Sequence, residues 1–337
     1  MAQAPVYFYY LAEPEQPLPK TLADFRDRQR ALGRTQALLG PASWTIQTCL
    51  QLQHRGFRCD LVSEVPESGI VLSRRAHIPD RVAQSRLHFW VCMLADRPYP
   101  HPHVQFHVLQ NPRQRLRFCQ PFAYLPHWPQ SGPVPRDPAR GLTIRNVRFF
   151  GEWYSLAPAL QAPEFSGWCA ANGYNFSGMS RDRWHDFSEC DIAIAIRSLG
   201  SASWHHDKPA TKLFNAWLAN VPVIAGQESA FRTEGRRGLN YLEAGNLGDV
   251  QQSLLRLRWS TDTYLALVEA GRQAAAGVTF DAIAQKWATL LGQTIIPAAT
   301  SWRSTTPLSA LADRWASRLR EGLAWRGHLL ETDEDAL

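Results

Sequence analysis

Lys208-Pro-Ala-Thr-Lys-Leu-Phe-Asn-Ala-Trp-Leu-Ala-Asn-Val-Pro-Val-Ile-Ala-Gly226 reads as a loop, a helix, a tight turn and a short buried strand. Pro209 suits a first helical turn, where a missing N–H costs little. Leu213, Trp217 and Leu218, with Ala216 and Ala219 beside them, give the helix one face that can pack. Asn220 is a candidate left-handed stop. Val221 to Ala225 then reads as a strand buried on both faces, closed by Gly226. A strand fed by a helix in this way belongs to a parallel α/β sheet.

Lys208, Thr211, Lys212 and Asn215 fall on one face of that helix. Lysines at the positive end of a helix are unfavourable unless an anion is near. Backbone N–H groups there, with a lysine, make a phosphate site. The alternative is a solvated basic face on a surface helix. Arg197 lies just past the Asp191–Ile196 strand, where open α/β sheets hold their ligands. Strand end, loop 198–207 and helix start are expected to bring Arg197, Lys208 and Lys212 into one pocket able to neutralise a diphosphate. A salt bridge is the competing role for Arg197. Glu228 and Ser229, past the next strand, are candidates for sugar or ribose hydroxyls, and Ser229 alternatively caps a short helix.

The pattern extends to both sides. Strands are expected at Val6–Leu11, Phe57–Val62, Gly69–Leu72, His88–Leu94 and Val104–Leu109, with helices at Leu22–Ala37 and Trp44–Gln53. Residues 119–143 are rich in Pro and Gly and read as a linker. After it come a strand at Ile144–Phe150, a helix at Ser155–Asn172, the two strands above, and helices at Leu247–Leu257, Asp262–Gln273 and Phe280–Leu291. The division expected is an acceptor-side domain at 1–137, a donor-binding domain at 138–300, a C-terminal helix at 301–330 and a disordered acidic tail at 331–337. Leu308, Leu311, Trp315, Leu319 and Leu323 sit at helical spacing among arginines, which suits a helix packed across the domains or an interfacial membrane anchor.

With 337 residues the chain can hold two domains, and 20% charged residues place it among globular proteins. A net charge of +6 favours anionic ligands. No basic run or nucleic-acid signature accompanies it, so nucleic acid is not expected as a partner. The six cysteines form no Cys-x-x-Cys pair and read as free thiols of a reducing compartment. Without a leader pattern or a long apolar run, the expectation is a cytoplasmic chain, with membrane contact limited to its periphery. His205 and His206 lack the acidic or thiol partners a metal site needs, and the sole Asp-x-Asp, Asp333–Asp335, sits in the acidic tail. No metal and no bound cofactor are therefore expected. Gly-x-Gly-x-x-Gly, P-loop and Gly-x-Ser-x-Gly patterns are absent, which weakens dehydrogenase, epimerase, NTPase and esterase readings. In the first half, Asp96 and His101 follow a strand and are candidates for a general base, against a purely structural Pro-stiffened turn.

Residues 190–260 resemble the donor half of glycosyltransferases with two Rossmann-like domains, the GT-B type. Asp191-Ile-Ala-Ile-Ala-Ile-Arg197 resembles the strand before the donor loop, and Lys208 to Ile224 the helix-turn-strand that holds a sugar nucleotide. Leu239-Asn-Tyr-Leu and Gly248-Asp-Val-Gln-Gln-Ser-Leu-Leu resemble the segments that follow. Thr211-Lys-Leu-Phe-Asn-Ala216 is also similar to the Glu-Lys-Leu-x-Asn-Ala pattern of bacterial α-1,3-fucosyltransferases. That likeness implies that Lys212 and Arg197 hold the donor diphosphate. Thr211 stands where the family carries a carboxylate, and the paired-glutamate motif of many retaining members is missing. The resemblance implies two domains facing across a cleft, a C-terminal helix crossing back, and metal-independent transfer from a nucleotide-sugar donor to a glycan or small-molecule hydroxyl. The alternative of another class is a non-catalytic α/β module that binds an anionic polymer or membrane surface.

Overall fold

The computed structural model describes residues 4–11, 17–31, 42–78, 87–97, 100–114, 121–200, 205–304 and 319. The first sheet holds β1 (Val6–Tyr9), β2 (Asp60–Val62), β3 (Gly69–Arg74), β4 (His88–Met93), β5 (Phe106–Leu109) and β6 (Phe122–Tyr124), in the order β2-β1-β3-β4-β5-β6. The second holds β7 (Asn146–Phe150), β8 (Asn175–Met179), β9 (Ile192–Ala195), β10 (Val223–Ala225) and β11 (Leu242–Glu243), in the order β11-β10-β9-β7-β8. Every pairing is parallel. β9 and β10 are buried throughout, as the apolar runs require when helices cover both faces. In each sheet the winding reverses beside its first strand, between β1 and β3 and between β7 and β9. A crevice opens at the carboxyl ends of the strands at such a point.

Helices α1 (Leu22–Ala31) and α2 (Thr48–His54) serve the first sheet, α2 entered through a π-helical turn at Ala42–Gln47. In the second half, α3 (Pro158–Gln161) and α4 (Pro163–Ala171) replace the single helix expected at 155–172. Pro163 imposes the break, because Ala162 before it is extended at ψ 141°. Then follow α5 (Thr211–Leu218), α6 (Ser229–Glu234), α7 (Leu247–Trp259), α8 (Thr261–Ala275), α9 (Phe280–Leu290) and α10 (Ile296–Ser304). Asn246 and Asp249 cap α7 reciprocally, while Ser260 and Thr279 cap α8 and α9. Three short strands were not expected: β8, β11, and β6 inside the Pro-rich segment.

That segment is a strap across the seam between the halves. Trp128 is fully buried, donates to Thr48 Oγ1 at 2.8 Å and stacks on Phe280. Gln130 N–H donates to Asn215 Oδ1, and Arg136 N–H to the Ala219 carbonyl. The buried Asp191 carboxylate takes Arg136 and Arg140, plus the N–H groups of Arg145 and Asn146. Burial pushes its pKa up, but those bonds outweigh burial and hold it below the usual carboxylate value. The return to the first domain begins at Phe280, ahead of the crossing expected at 301: Trp287 packs edge-on against Phe8 and Trp44. Of the tail helix expected at 301–330, residues 301–304 form the end of α10 and residue 319 is described, while the rest, the acidic end and Cys119 lie outside the described residues. The other five cysteines are free and buried. No described helix is long and apolar enough to cross a membrane.

Candidate functional site

α5 has the packing face its sequence requires. Leu213, Phe214, Ala216 and Trp217 are buried, and Trp217 Nε1 donates to the Asn240 carbonyl at 2.8 Å. Asn220 stops the helix at φ +57°. A Cβ on Gly271 would meet the Trp217 ring at 2.8 Å, so α8 needs glycine there to approach α5. This packing aims the first turn of α5 at the switch point between β7 and β9.

Lys212 reaches that point. Its ammonium donates to the Phe150 carbonyl at the end of β7 and sits 4.3 Å from the centroid of the Phe149 ring. A Cβ on Gly151 would occupy the ammonium's place, so the chain leaves β7 through a glycine. Among the described residues no carboxylate pairs with Lys212. Burial, then repulsion from Arg197, pushes its pKa down to about 7, partly offset by Glu228.

Arg197 and Glu228 meet as a buried ion pair, joining the ends of β9 and β10. The second oxygen of Glu228 is buried without a hydrogen-bond partner, as is the Thr211 hydroxyl. Gly226 lies close against the end of β9, since a Cβ there would stand 3.3 Å from the Ser198 carbonyl. His205 Nε2 bonds Ser198 Oγ and His206 Nδ1 bonds Ser229 Oγ, so the two rings part company on the loop. Among the described residues no three His, Cys, Asp or Glu side chains gather in a metal-binding arrangement.

Two of the three cations expected in one pocket already have carboxylate partners. Arg197 pairs with Glu228, and Lys208 lies 3.1 Å from Asp207 and 3.9 Å from Asp96. Among the described residues, Lys212 is the one of the three without a carboxylate. The physical reason is mutual repulsion: three cations in a poorly solvated crevice need compensating charge. Asn215 turns away from Lys212 to hold the strap at Gln130. Ser229 does not cap α6, whose N-cap is Glu228. Its hydroxyl accepts from Asn111 at 2.9 Å, across the seam.

From the first domain, Asp96 lies past β4 in a sharp left-handed turn, with φ +38° at Ala95 and +59° at Asp96. Alanine rarely adopts such a conformation, and strain of this kind collects at functional sites. The Asp96 side chain is half exposed and accepts from Gln110 Nε2 at 2.7 Å. His101 instead is fully buried, its Nδ1 accepting from His103 N–H and its own N–H donating to His107 Nε2. Sequence reasoning missed Gln110 and Asn111, which bond the carbonyls of Asp207 and Lys208. Two adjacent amides after an apolar strand were the available signal.

No protein-family model and no curated protein matches the sequence. Solved structures of similar fold include Anabaena HepE in complex with UDP and glucose, with TM-score 0.49 and 11% identity over 86% of this chain and 100% of that one. Sucrose-phosphate synthase from Thermosynechococcus elongatus gives 0.45 and 9%, over 66% and 73%. AviGT4, a glycosyltransferase involved in avilamycin A biosynthesis, gives 0.45 and 12%, over 77% and 91%.

Proposed function

We propose that this chain is a glycosyltransferase that moves a sugar from a nucleotide-sugar donor to an acceptor hydroxyl. The observation that carries the reading is Lys212, an ammonium without a carboxylate partner, held at the switch point of the second sheet. A diphosphate there would restore its charge and stabilise the leaving group as the bond from sugar carbon to phosphate oxygen breaks. Arg197 would supply the second cation. Two side-chain cations in that position take the role a divalent metal plays elsewhere, so transfer should survive chelation by EDTA. Glu228, with one oxygen on Arg197 and the other unpartnered, and Thr211, with its unpartnered hydroxyl, suit ribose or sugar hydroxyls. Lys208, Asn215 and Ser229 would hold the loop and strap around the donor. Asp96 would take the proton of the acceptor hydroxyl if the enzyme inverts, and its exposure favours it over the buried His101.

A melting screen with UDP, GDP, ADP, TDP and CMP, followed by UDP-glucose and GDP-fucose, tests the donor. Lys212→Met should weaken binding of the nucleotide by roughly 30- to 1,000-fold, or about 2–4 kcal/mol. Asp96→Asn should cut kcat by roughly 10²–10⁴ while leaving nucleotide affinity intact. Equal calorimetric affinity of wild type and Lys212→Met for the nucleotide would refute the donor assignment. A module that binds an anionic polymer would show no transfer and a steep loss of binding with salt.

A further inference from the structure

The register of the first sheet sets two polar side chains side by side at its carboxyl edge. β4 and β5 pair with Met93 beside Val108, so Gln110, two residues on, lies level with Ala95. There β4 gives way to the left-handed turn of Ala95 and Asp96, closed by the Arg97 N–H onto the Leu94 carbonyl. Gln110 is 1% exposed, and its amide nitrogen works in two directions. Nε2 donates to Asp96 Oδ1 at 2.7 Å and, across the seam, to the Asp207 carbonyl at 2.6 Å. Both partners are acceptors, so one orientation of the amide fits and the flipped one does not. The amide oxygen is left buried without a hydrogen-bond partner. An orphaned buried oxygen costs stability, and an apolar side chain would avoid that cost. Gln110 is therefore explained by what it donates. The Asp96 carboxylate is engaged on one side: Lys208 Nζ, at 3.9 Å, also approaches Oδ1, and among the described residues Oδ2 takes no hydrogen bond.

We infer that Gln110 is the positioning residue for the Asp96 base: it pins Oδ1, leaving Oδ2 to take the proton of the acceptor hydroxyl. The role of Asp96 rests on the transferase reading; the tether between the two side chains does not. A base works from a fixed geometry, which a third group must hold. An aspartate on a half-exposed turn has no packing to hold it, and a buried amide anchored in the sheet supplies that. The second N–H of the same nitrogen is bound to the loop at 205–208, which also brings Lys208 to Oδ1. The carboxylate is therefore fully fixed only while that loop lies against the end of β5, so the base is set when the two halves meet. The charges that face it are Lys208, with Asp207 behind it, Arg97 next in the chain, and Arg74 and His127, which act on it electrostatically. None of these is altered by substituting Gln110.

The carboxylate can be read directly. The carbon-13 resonance of the Asp96 carboxyl, identified by its absence in Asp96→Asn, is followed against pH in the ligand-free full chain, for wild type, Gln110→Met and Gln110→Glu. Loss of an N–H that favours the charged form should move the titration to higher pH by about half a unit to one unit in Gln110→Met. Gln110→Glu keeps the shape but sets a second carboxylate beside the first, and should move it further. That variant also covers the case in which Gln110→Met fails to fold. In transfer assays the acid limb of kcat/KM against pH should move in the same direction, with kcat lower by roughly 10- to 100-fold. A lower melting temperature with an unmoved titration and an unmoved limb would mean that Gln110 only ties the seam, and would overturn the inference. Transfer at the wild-type rate by Asp96→Asn would sink the base assignment instead. An inactive Asp96→Asn beside an unmoved limb in the Gln110 variants would sink the positioning role alone.

Discussion

Lys212 shows how much a single side chain can carry. Its pKa near 7 makes it a group in the wrong protonation state for its ordinary value of 10.5. At and below pH 7 the folded chain keeps the ammonium charged where burial disfavours it. Between 7 and 10.5 the folded state sheds that proton while the unfolded chain keeps it, so the folded state gains stability as pH rises. Lys212→Met removes the group and should raise the melting temperature most at and below pH 7. The advantage, on the order of 1–3 kcal/mol, should shrink toward pH 10. Melting curves of the two proteins that stay parallel from pH 6 to 10 would contradict the assignment. The same proton should be taken up when a diphosphate binds above pH 7. Calorimetry in buffers of different ionisation enthalpy reads that uptake, and UDP-glucose suits it because its diphosphate does not titrate there. The sequence showed that 208, 211, 212 and 215 share a face. It could not show that Glu228 neutralises Arg197, because that pairing joins the ends of two separate strands, whereas Asp207 stands next to Lys208 in the sequence.

The elements divide by how local their cause is. α5 and its Asn220 stop were legible because packing face, turn residue and buried strand lie within one short run. The strands β3, β4 and β9 were legible from their apolar runs. β11 is only two residues long, and β8, Asn175-Phe-Ser-Gly-Met, lies at the sheet edge with no residue fully buried. Edge strands of that kind lack the hydrophobic signal on which a reading depends. β6 was hidden by the prolines around it. The role of α9 was illegible for another reason: its amphipathic pattern says that one face packs, but not against which sheet. Trp287 answers that, since it is fully buried and lies against Phe8 and Trp44 of the first domain. Trp287→Ala should cost about 3–5 kcal/mol in urea denaturation. The expected signature is loss of cooperativity between the halves, with tryptophan fluorescence and far-ultraviolet dichroism no longer coincident. A single coincident transition at the wild-type midpoint would show that α9 contributes little to joining the domains.

At the scale of the molecule, the two carboxyl edges face each other and are joined by neutral amides. Gln110 reaches Asp96 and the Asp207 carbonyl, and Asn111 reaches the carbonyls of His205 and Lys208 and the hydroxyl of Ser229. Neutral donors fit this seam because both sides already carry paired charge. An added ion would need its own compensation, whereas an amide satisfies carbonyls at little desolvation cost. Asn111 contacts none of the groups proposed to bind the donor diphosphate, Arg197 and Lys212. Any effect of its loss on that contact must therefore travel through the loop at 205–208 and the position of α6. Asn111→Leu keeps the branching at Cγ and removes the donor, taking one bond each from the His205 carbonyl, the Lys208 carbonyl and the Ser229 hydroxyl, of which the first keeps the Lys208 N–H and the last keeps His206. The expected outcome is a nucleotide affinity lower by roughly tenfold, in line with about 1–1.5 kcal/mol for the lost hydrogen bonding. X-ray scattering of the ligand-free protein should show a larger radius of gyration, which a saturating nucleotide brings back toward the wild-type value. A change in melting temperature without either effect would mean that Asn111 only stabilises its own domain. Unchanged scattering with unchanged affinity would mean that the halves are held together by the strap and α9 alone.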